Sequence, residues 1–185
     1  MTRRFYARAT VFTASAFAIW FAVIAITDPL PRVVWNASAS APLGLYRIQL
    51  DRDPPRGALV AVAPPGRLGR WMAERGYLGR DVPLLKHIVA TAGQRVCRIG
   101  VAVSVDGQPI AIALTRDRIG RPLPVWQGCR TLLAGEMLLL NPDHPDSLDG
   151  RYFGPLPAST VLGRAFPILT HDTPDAPLTW RADRP

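Results

Sequence analysis

The hydrophobic pattern opens on one long apolar run and then breaks into short ones. Residues 9–27 contain no charge. At ~1.5 Å per residue, a helix of that length spans about 28 Å, close to the hydrocarbon thickness of a bilayer. A transmembrane helix is predicted there, stopped by Asp28, Pro29 and Pro31. The runs that follow have strand length. Residues 44–50 alternate apolar and polar, as a half-buried strand does. Residues 57–63 form a second, proline-bounded run. Leu68, Trp71, Met72 and Arg75 are spaced for a short amphipathic helix within 66–78. Residues 84–92 and 96–99 read as strands separated by a turn at Gly93-Gln94. Residues 101–105 and 108–114 flank Asp106-Gly107, a strong hairpin signal. Residues 136–141 are a buried strand and 161–170 the last one. Residues 115–135 and 142–154 read as loops, and 173–185, with Pro174, Pro177 and Pro185, as a loose tail. The expected class is mainly β, an all-β core of seven or eight short strands with one N-terminal transmembrane helix and one short amphipathic helix. No internal boundary follows the apolar run, so two regions are expected, 1–30 and 31–185.

Charge gives this layout a direction. Arg3, Arg4 and Arg8 precede the apolar run, and Arg32 is the one basic residue soon after it. That asymmetry predicts a cytoplasmic N-terminus and an exported remainder. A cleaved signal peptide is the competing reading, since Ala37-Ser38-Ala39 resembles a small-x-small cleavage site. The run exceeds the usual signal core, however, and ten residues separate it from that site. A retained signal anchor is expected. The net charge of +8 comes from arginines scattered singly, without aromatic interleaving, which argues against a nucleic-acid face. Cys97 and Cys129 are too few for a zinc site, and His87, His144 and His171 lie at no metal-ligand spacing from them. No metal or cofactor is expected. The cysteines are two buried thiols or one disulfide. Export to an oxidising compartment favours the disulfide, worth roughly 3–4 kcal/mol for a loop of this length.

Among 22 basic residues Lys86 is the lone lysine. It stands between Leu84, Leu85 and Ile88, Val89. Arginine does not give up its proton, whereas a lysine does when apolar surroundings penalise its charge. Lys86 is therefore a candidate general base; the plainer reading is a strand-edge lysine with its ammonium in water. Two other stretches bear on that choice. W-N-A-S-A-S-A-P-L-G-L-Y (35–46) holds an accessible serine, Ser40, in a segment that would equally serve as a linker. D-S-L-D-G-R-Y-F-G-P (146–155) offers Ser147 and Asp149 to hold an amine and Arg151 to pair with Asp149; it would equally make a structural Asp–Arg turn. A hydroxyl needs a neighbouring base to become a nucleophile.

Taken together, the three blocks resemble those of type I signal peptidases, the membrane-anchored Ser/Lys serine proteases. They are more similar still to the TraF-like conjugative transfer peptidases of that superfamily. The matching stretches are N-A-S-A-S-A-P-L-G-L-Y, R-G-Y-L-G-R-D-V-P-L-L-K-H-I-V-A-T-A-G-Q-R-V-C, D-S-L-D-G-R-Y-F-G-P-L and G-R-A-F-P-I-L, in order along nearly all of the region after the apolar run. The resemblance implies Ser40 as nucleophile and Lys86 as general base. It implies Ser38 as an oxyanion-hole hydroxyl, Asp149 and Ser147 as supports of the lysine, and Arg151 as the partner of Asp149. Gly150 departs from the serine of many signal peptidases. The implied fold is an all-β peptidase core. The implied setting is a bacterial inner membrane with the catalytic domain in the periplasm. The implied substrate is a protein with a hydrophobic export signal, a pilin precursor in the conjugative branch, released by water or, with cyclisation, by an amine. Ser40 lies twelve residues after Asp28, near the outer membrane surface, where such a signal ends. The alternatives are a general type I signal peptidase, whose second anchor and accessory domain are not seen, and a non-catalytic anchored β-domain of a transfer apparatus. A Ser–His–Asp hydrolase is discounted, because His87 on a strand points away from Lys86 and His144 and His171 lack a partner motif.

Overall fold

In a computed structural model, residues 3–27, 32–80, 82–171, 173 and 176–181 are described. The predicted helix stop at Asp28, Pro29 and Pro31, and Pro174 and Pro185 of the predicted tail, lie outside the described residues. The chain divides into two units, Met1–Pro31 and Arg32–Pro185.

The first unit is one helix, α1 (Arg3–Thr27), long and apolar enough to cross a membrane. It begins before the uncharged run because nothing in Arg3 to Arg8 breaks a helix. None of its residues is buried in the protein. Apolar side chains all round a helix with no protein cover suit a lipid environment.

Among the described residues, the second unit is built from twelve strands: β1 (Val33–Asn36), β2 (Gly44–Gln49), β3 (Leu59–Val62), β4 (Leu84–Ala90), β5 (Arg95–Ile99), β6 (Ala102–Val105), β7 (Gln108–Ile112), β8 (Gly128–Thr131), β9 (Glu136–Leu140), β10 (Leu156–Pro157), β11 (Val161–His171) and β12 (Leu178–Trp180). Two short helices join them, α2 (Gly66–Glu74) and α3 (Gly150–Phe153). An antiparallel sheet runs in the order β1-β2-β11-β3-β4-β9-β10, with β12 also on β11; a second runs β7-β6-β5-β8. The long β11 pairs β3 through its first residues and β2 through its later ones, with a shift between Pro167 and Leu169, so one strand joins both halves of the large sheet. Val96, Val103 and Val105 of the small sheet pack with Ala90, Leu138 and Leu140 of the large one in a common buried cluster. That burial holds the two sheets together.

Most expected elements form. The Asp106-Gly107 turn has φ of 50° and 81°, the left-handed pair that a two-residue hairpin needs. The predicted 66–78 helix ends at Glu74, where Gly76, at φ 70°, turns the chain out of it. Elsewhere the structure differs from expectation. β8 lies inside the predicted 115–135 loop, β12 inside the predicted loose tail and α3 inside the 142–154 loop; β1 and β10 were not foreseen. β8 is exposed at all four residues, so it lacks the alternation that marks a strand, and its order comes from pairing with β5. β12 likewise takes its order from register with Leu169 to His171.

Gly44 explains part of A-P-L-G-L-Y. Its φ is 140°, and a Cβ there would lie 2.1 Å from the Leu169 carbonyl oxygen. Only glycine lets β2 leave the Ser40 segment so close to β11. Two residues on, buried Tyr46 returns its hydroxyl to the Pro42 carbonyl at 2.7 Å, and burial pushes that phenol up to about 12, against an opposing pull from the Arg181 charge.

Candidate active site

Three separate parts of the chain meet at one point. The first is the segment between β1 and β2. Small residues let it run as a tight irregular turn, and a buried asparagine organises it. Asn36 ends β1 with its side chain turned inward. Its Nδ2 donates to the carbonyls of Ser38 (2.9 Å), Ala41 (3.0 Å) and Pro42 (3.1 Å). Its Oδ1 accepts from the Ser38 amide (3.1 Å) and hydroxyl (2.9 Å). Ser38 is exposed, Ser40 half-buried, and their hydroxyl oxygens are 3.1 Å apart.

The second part is β4. Lys86 is paired with Val60 of β3 and shares its strand face with Leu84 and Ile88. Val60 and Ile88 are fully buried in a cluster with Val62, Met137 and Leu139. Lys86 itself is 3% exposed. Its Nζ lies 3.2 Å from Ser40 Oγ and 2.8 Å from Ser147 Oγ. Burial lowers the amine from 10.5 to about 8; the Asp149 charge opposes that and the Arg151 charge adds to it.

The third part is the loop after β9. Ser147 is buried, and its hydroxyl meets the amine. Asp149 caps α3 through the Arg151 amide (3.1 Å) and pairs with the Arg151 guanidinium at 2.8 Å and 3.1 Å. Both side chains are almost wholly buried. Arg151 also donates to the carbonyls of Pro145 (2.9 Å) and Asn141 (2.8 Å). The carboxylate is thus engaged by arginine and acts on Lys86 through its charge, with no hydrogen bond between them. Gly150 fits against β9, where a Cβ would lie 2.7 Å from the Leu139 carbonyl oxygen and 2.8 Å from Leu138 Cδ1. That contact accounts for the departure from serine.

Ser38, Ser40, Lys86 and Ser147 therefore come together, with Asp149 and Arg151 behind them. Cys97 and Cys129 lie apart, on facing positions of β5 and β8, joined as a disulfide. Among the described residues, no three His, Cys, Asp or Glu side chains form a group able to hold a metal. His87 contacts Asn141, and His171 Nδ1 contacts the Ala176 carbonyl; neither approaches a serine. Asn36 and Asn141 were not singled out from the sequence. The signal available was a lone asparagine at the end of an apolar run, which reads equally well as a turn residue.

Chemically, the cluster is a one-way hydrogen-bond chain while the amine is protonated: Nζ donates to Ser40, Ser40 can donate to Ser38, and Ser38 donates to Asn36. Once neutral, the amine has a lone pair 3.2 Å from the Ser40 oxygen and can accept its proton. A cleft of about 700 Å³, lined by Pro64, Gly66, Arg70, Val82, Pro83 and others, opens between α2 and the start of β4.

Known proteins share this chain's sequence. It is 42% identical over 147 residues to a "Probable conjugal transfer protein TraF" of Sinorhizobium fredii, covering 74% of this chain and 76% of that one. It is 36% identical to a "Conjugal transfer protein TraF" of Agrobacterium fabrum, with 74% and 82% covered, and 33% identical to a "Plasmid transfer protein TraF" of Escherichia coli, with 73% and 81% covered. A solved signal peptidase I from Enterococcus faecalis V583 is 18% identical, covering 63% of this chain and 97% of that one, with a TM-score of 0.36. Residues 4–170, which take in all of α1 but Arg3 and all three parts of the site, match the family described as signal peptidase, peptidase S26, and the chain belongs to that family.

Proposed function

We propose that this chain is a membrane-anchored serine endopeptidase that processes an exported precursor in conjugative transfer, with Ser40 as nucleophile and Lys86 as general base. The observation that carries the reading is a buried lysine amine, without an ion pair among the described residues, within hydrogen-bond reach of a half-buried serine. In the first step the neutral amine takes the Ser40 proton as Oγ attacks the scissile carbonyl. The Ser40 amide and the Ser38 hydroxyl, once turned from Asn36 Oδ1, receive the developing oxyanion. The resulting Lys86 ammonium returns the proton to the leaving amine, giving an acyl-enzyme. Water, deprotonated by Lys86, then releases the product; an amine of the same substrate chain would release it as a ring. Ser147 aims the amine, and Arg151 holds Asp149 so that its charge does not lock Lys86 as the ammonium.

The family supports a protein substrate, and relatives named for conjugal transfer favour a pilin precursor as that substrate. The cleft between α2 and the start of β4 has room for an extended segment, although Ser40 and Lys86 are not among the residues that line it. For residues 1–30 we propose a cytoplasmic start and an inner-membrane anchor, and for 31–185 a periplasmic peptidase domain. The arginines in the first turns of α1, ahead of its uncharged run, and the Cys97–Cys129 disulfide in the second unit support that orientation. The test is cleavage of a pilin precursor by membranes carrying wild-type, Ser40→Ala or Lys86→Arg protein, with products weighed by mass spectrometry. Cleavage by wild type alone is expected. A product lighter by one water than the linear peptide would identify ring closure. Undiminished cleavage by Ser40→Ala would remove the mechanism.

A further inference from the structure

We infer that Asn141 is a positioning residue that sets the distance between Ser40 and Lys86, an inference resting on the reading of those two as the reacting pair. Asn141 follows β9 and is 1% exposed. Its Nδ2 donates to the Ser40 carbonyl (2.5 Å) and the Leu85 carbonyl (3.0 Å). Its Oδ1 accepts from the His87 amide (3.2 Å) and faces His87 Nδ1 (3.1 Å). The amide can sit only this way round, since the reverse would set an oxygen against two carbonyls. It follows that His87 Nδ1 carries a proton toward Oδ1.

These partners matter by position. Leu85 and His87 flank Lys86 on β4, so one carboxamide grips the backbone on both sides of the base while holding the backbone of the nucleophile. The Asn141 amide also donates to Asp149 Oδ2 (3.0 Å), and its carbonyl accepts from Arg151 (2.8 Å). One buried residue thereby ties together all three parts of the site. The other tie toward β4 is apolar: Ala41, next to Ser40, packs with Leu85 in one buried cluster, a contact that sets no direction for the Ser40 backbone. Its own segment is organised from Asn36 on β1, and β1 and β4 are separated in the sheet by β2, β11 and β3. Without the Asn141 amide, the 3.2 Å Ser40–Lys86 approach would rest on the hydroxyl contact and on the non-directional Ala41–Leu85 packing.

The test uses the full-length protein in detergent, a synthetic precursor peptide, and two variants. Asn141→Leu keeps the branched shape at a larger volume and removes the donors and the acceptor; Asn141→Asp keeps the shape and puts oxygen against the two carbonyls. Expected for Asn141→Leu is a kcat lower by about 100-fold, as a displacement of about 1 Å produces. Its KM is expected within about threefold of wild type, with the pH midpoint unmoved because Lys86 stays buried. A role in stability alone would lower the melting temperature and leave kcat per folded molecule unchanged. Wild-type kcat in a folded variant overturns the inference, as does failure of both variants to fold. Ser40→Ala is run alongside. If it is inert while Asn141→Leu is fully active, only this inference falls; if Ser40→Ala is itself active, the reading of the reacting pair falls first.

Discussion

At the scale of single residues, the site trades stability for a neutral amine. Lys86 is held at about 8 against 10.5 for a free lysine. The unfolded chain therefore binds more protons than the folded one between those values, and folding stability rises with pH across that window. Below about pH 8 the penalty is at its full size, about 3 kcal/mol for a displacement this large. Lys86→Met carries no such group. Its stability relative to wild type, measured by denaturant unfolding at pH 7.5 and pH 10, is expected to fall as pH rises; equal differences at both pH values would contradict the burial argument. On the proposed mechanism activity rises with pH through about 8, and Lys86→Arg is as inactive as Lys86→Ala, because a guanidinium keeps its proton. Near-normal cleavage by folded Lys86→Arg would exclude Lys86 as the base. Gly150 makes a separate case. Restoring the serine of many signal peptidases would press a Cβ into the backbone of β9. Gly150→Ser is expected to cost about 1–3 kcal/mol by overpacking, read as a lower melting temperature. Unchanged stability would mean that β9 yields easily.

At the scale of elements, what could be read from the chain tracks how far each element carries its own cause. β4 could be read because Leu84 to Ala90 is apolar at nearly every position, and the β6–β7 hairpin because Asp106-Gly107 demands its turn. That Ser40, Lys86 and Asp149 come together could be expected because their neighbours carry the pattern of a family. β8 could not, since Gly128 to Thr131 is exposed throughout and owes its extended form to β5 and to the Cys97–Cys129 bridge. Asn141 could not, since its four side-chain contacts go to three residues that lie 54 to 101 positions away along the chain. The same dependence makes β8 a point of attack. With both cysteines replaced by serine, β8 keeps its backbone pairing with β5 but loses the covalent limit on the unfolded state. The cost is expected to be about 3 kcal/mol, with β8 amides exchanging hydrogen faster than those of β3 or β4. If the two thiols are found free in exported wild-type protein, the bridge has no part in its stability.

At the scale of the whole molecule, the proposed anchor and the proposed peptidase domain fall in separate units. The buried clusters of the second unit are formed by residues from Val34 onward, and α1 contributes no buried side chain. Residues 32–185 are therefore expected to fold without α1, with the disulfide closed and a melting temperature within a few degrees of the full chain. The serine, the lysine and their supports all lie in this unit, so kcat on a short soluble peptide is expected to survive removal of α1. The natural substrate is different if it carries a hydrophobic export signal, because then it is confined to a membrane. Anchoring enzyme and substrate in one bilayer replaces encounters in three dimensions by encounters at a raised local concentration, a gain of about 10²- to 10⁴-fold with no new contact. Removing α1 is thus expected to leave cleavage of the soluble peptide intact and to cut cleavage of the membrane-held precursor by at least 100-fold. Replacing α1 with an unrelated transmembrane helix of the same orientation is expected to restore it. Loss of activity on both substrates would mean that α1 shapes the site itself, and full activity on both would mean that the anchor is dispensable for substrate capture.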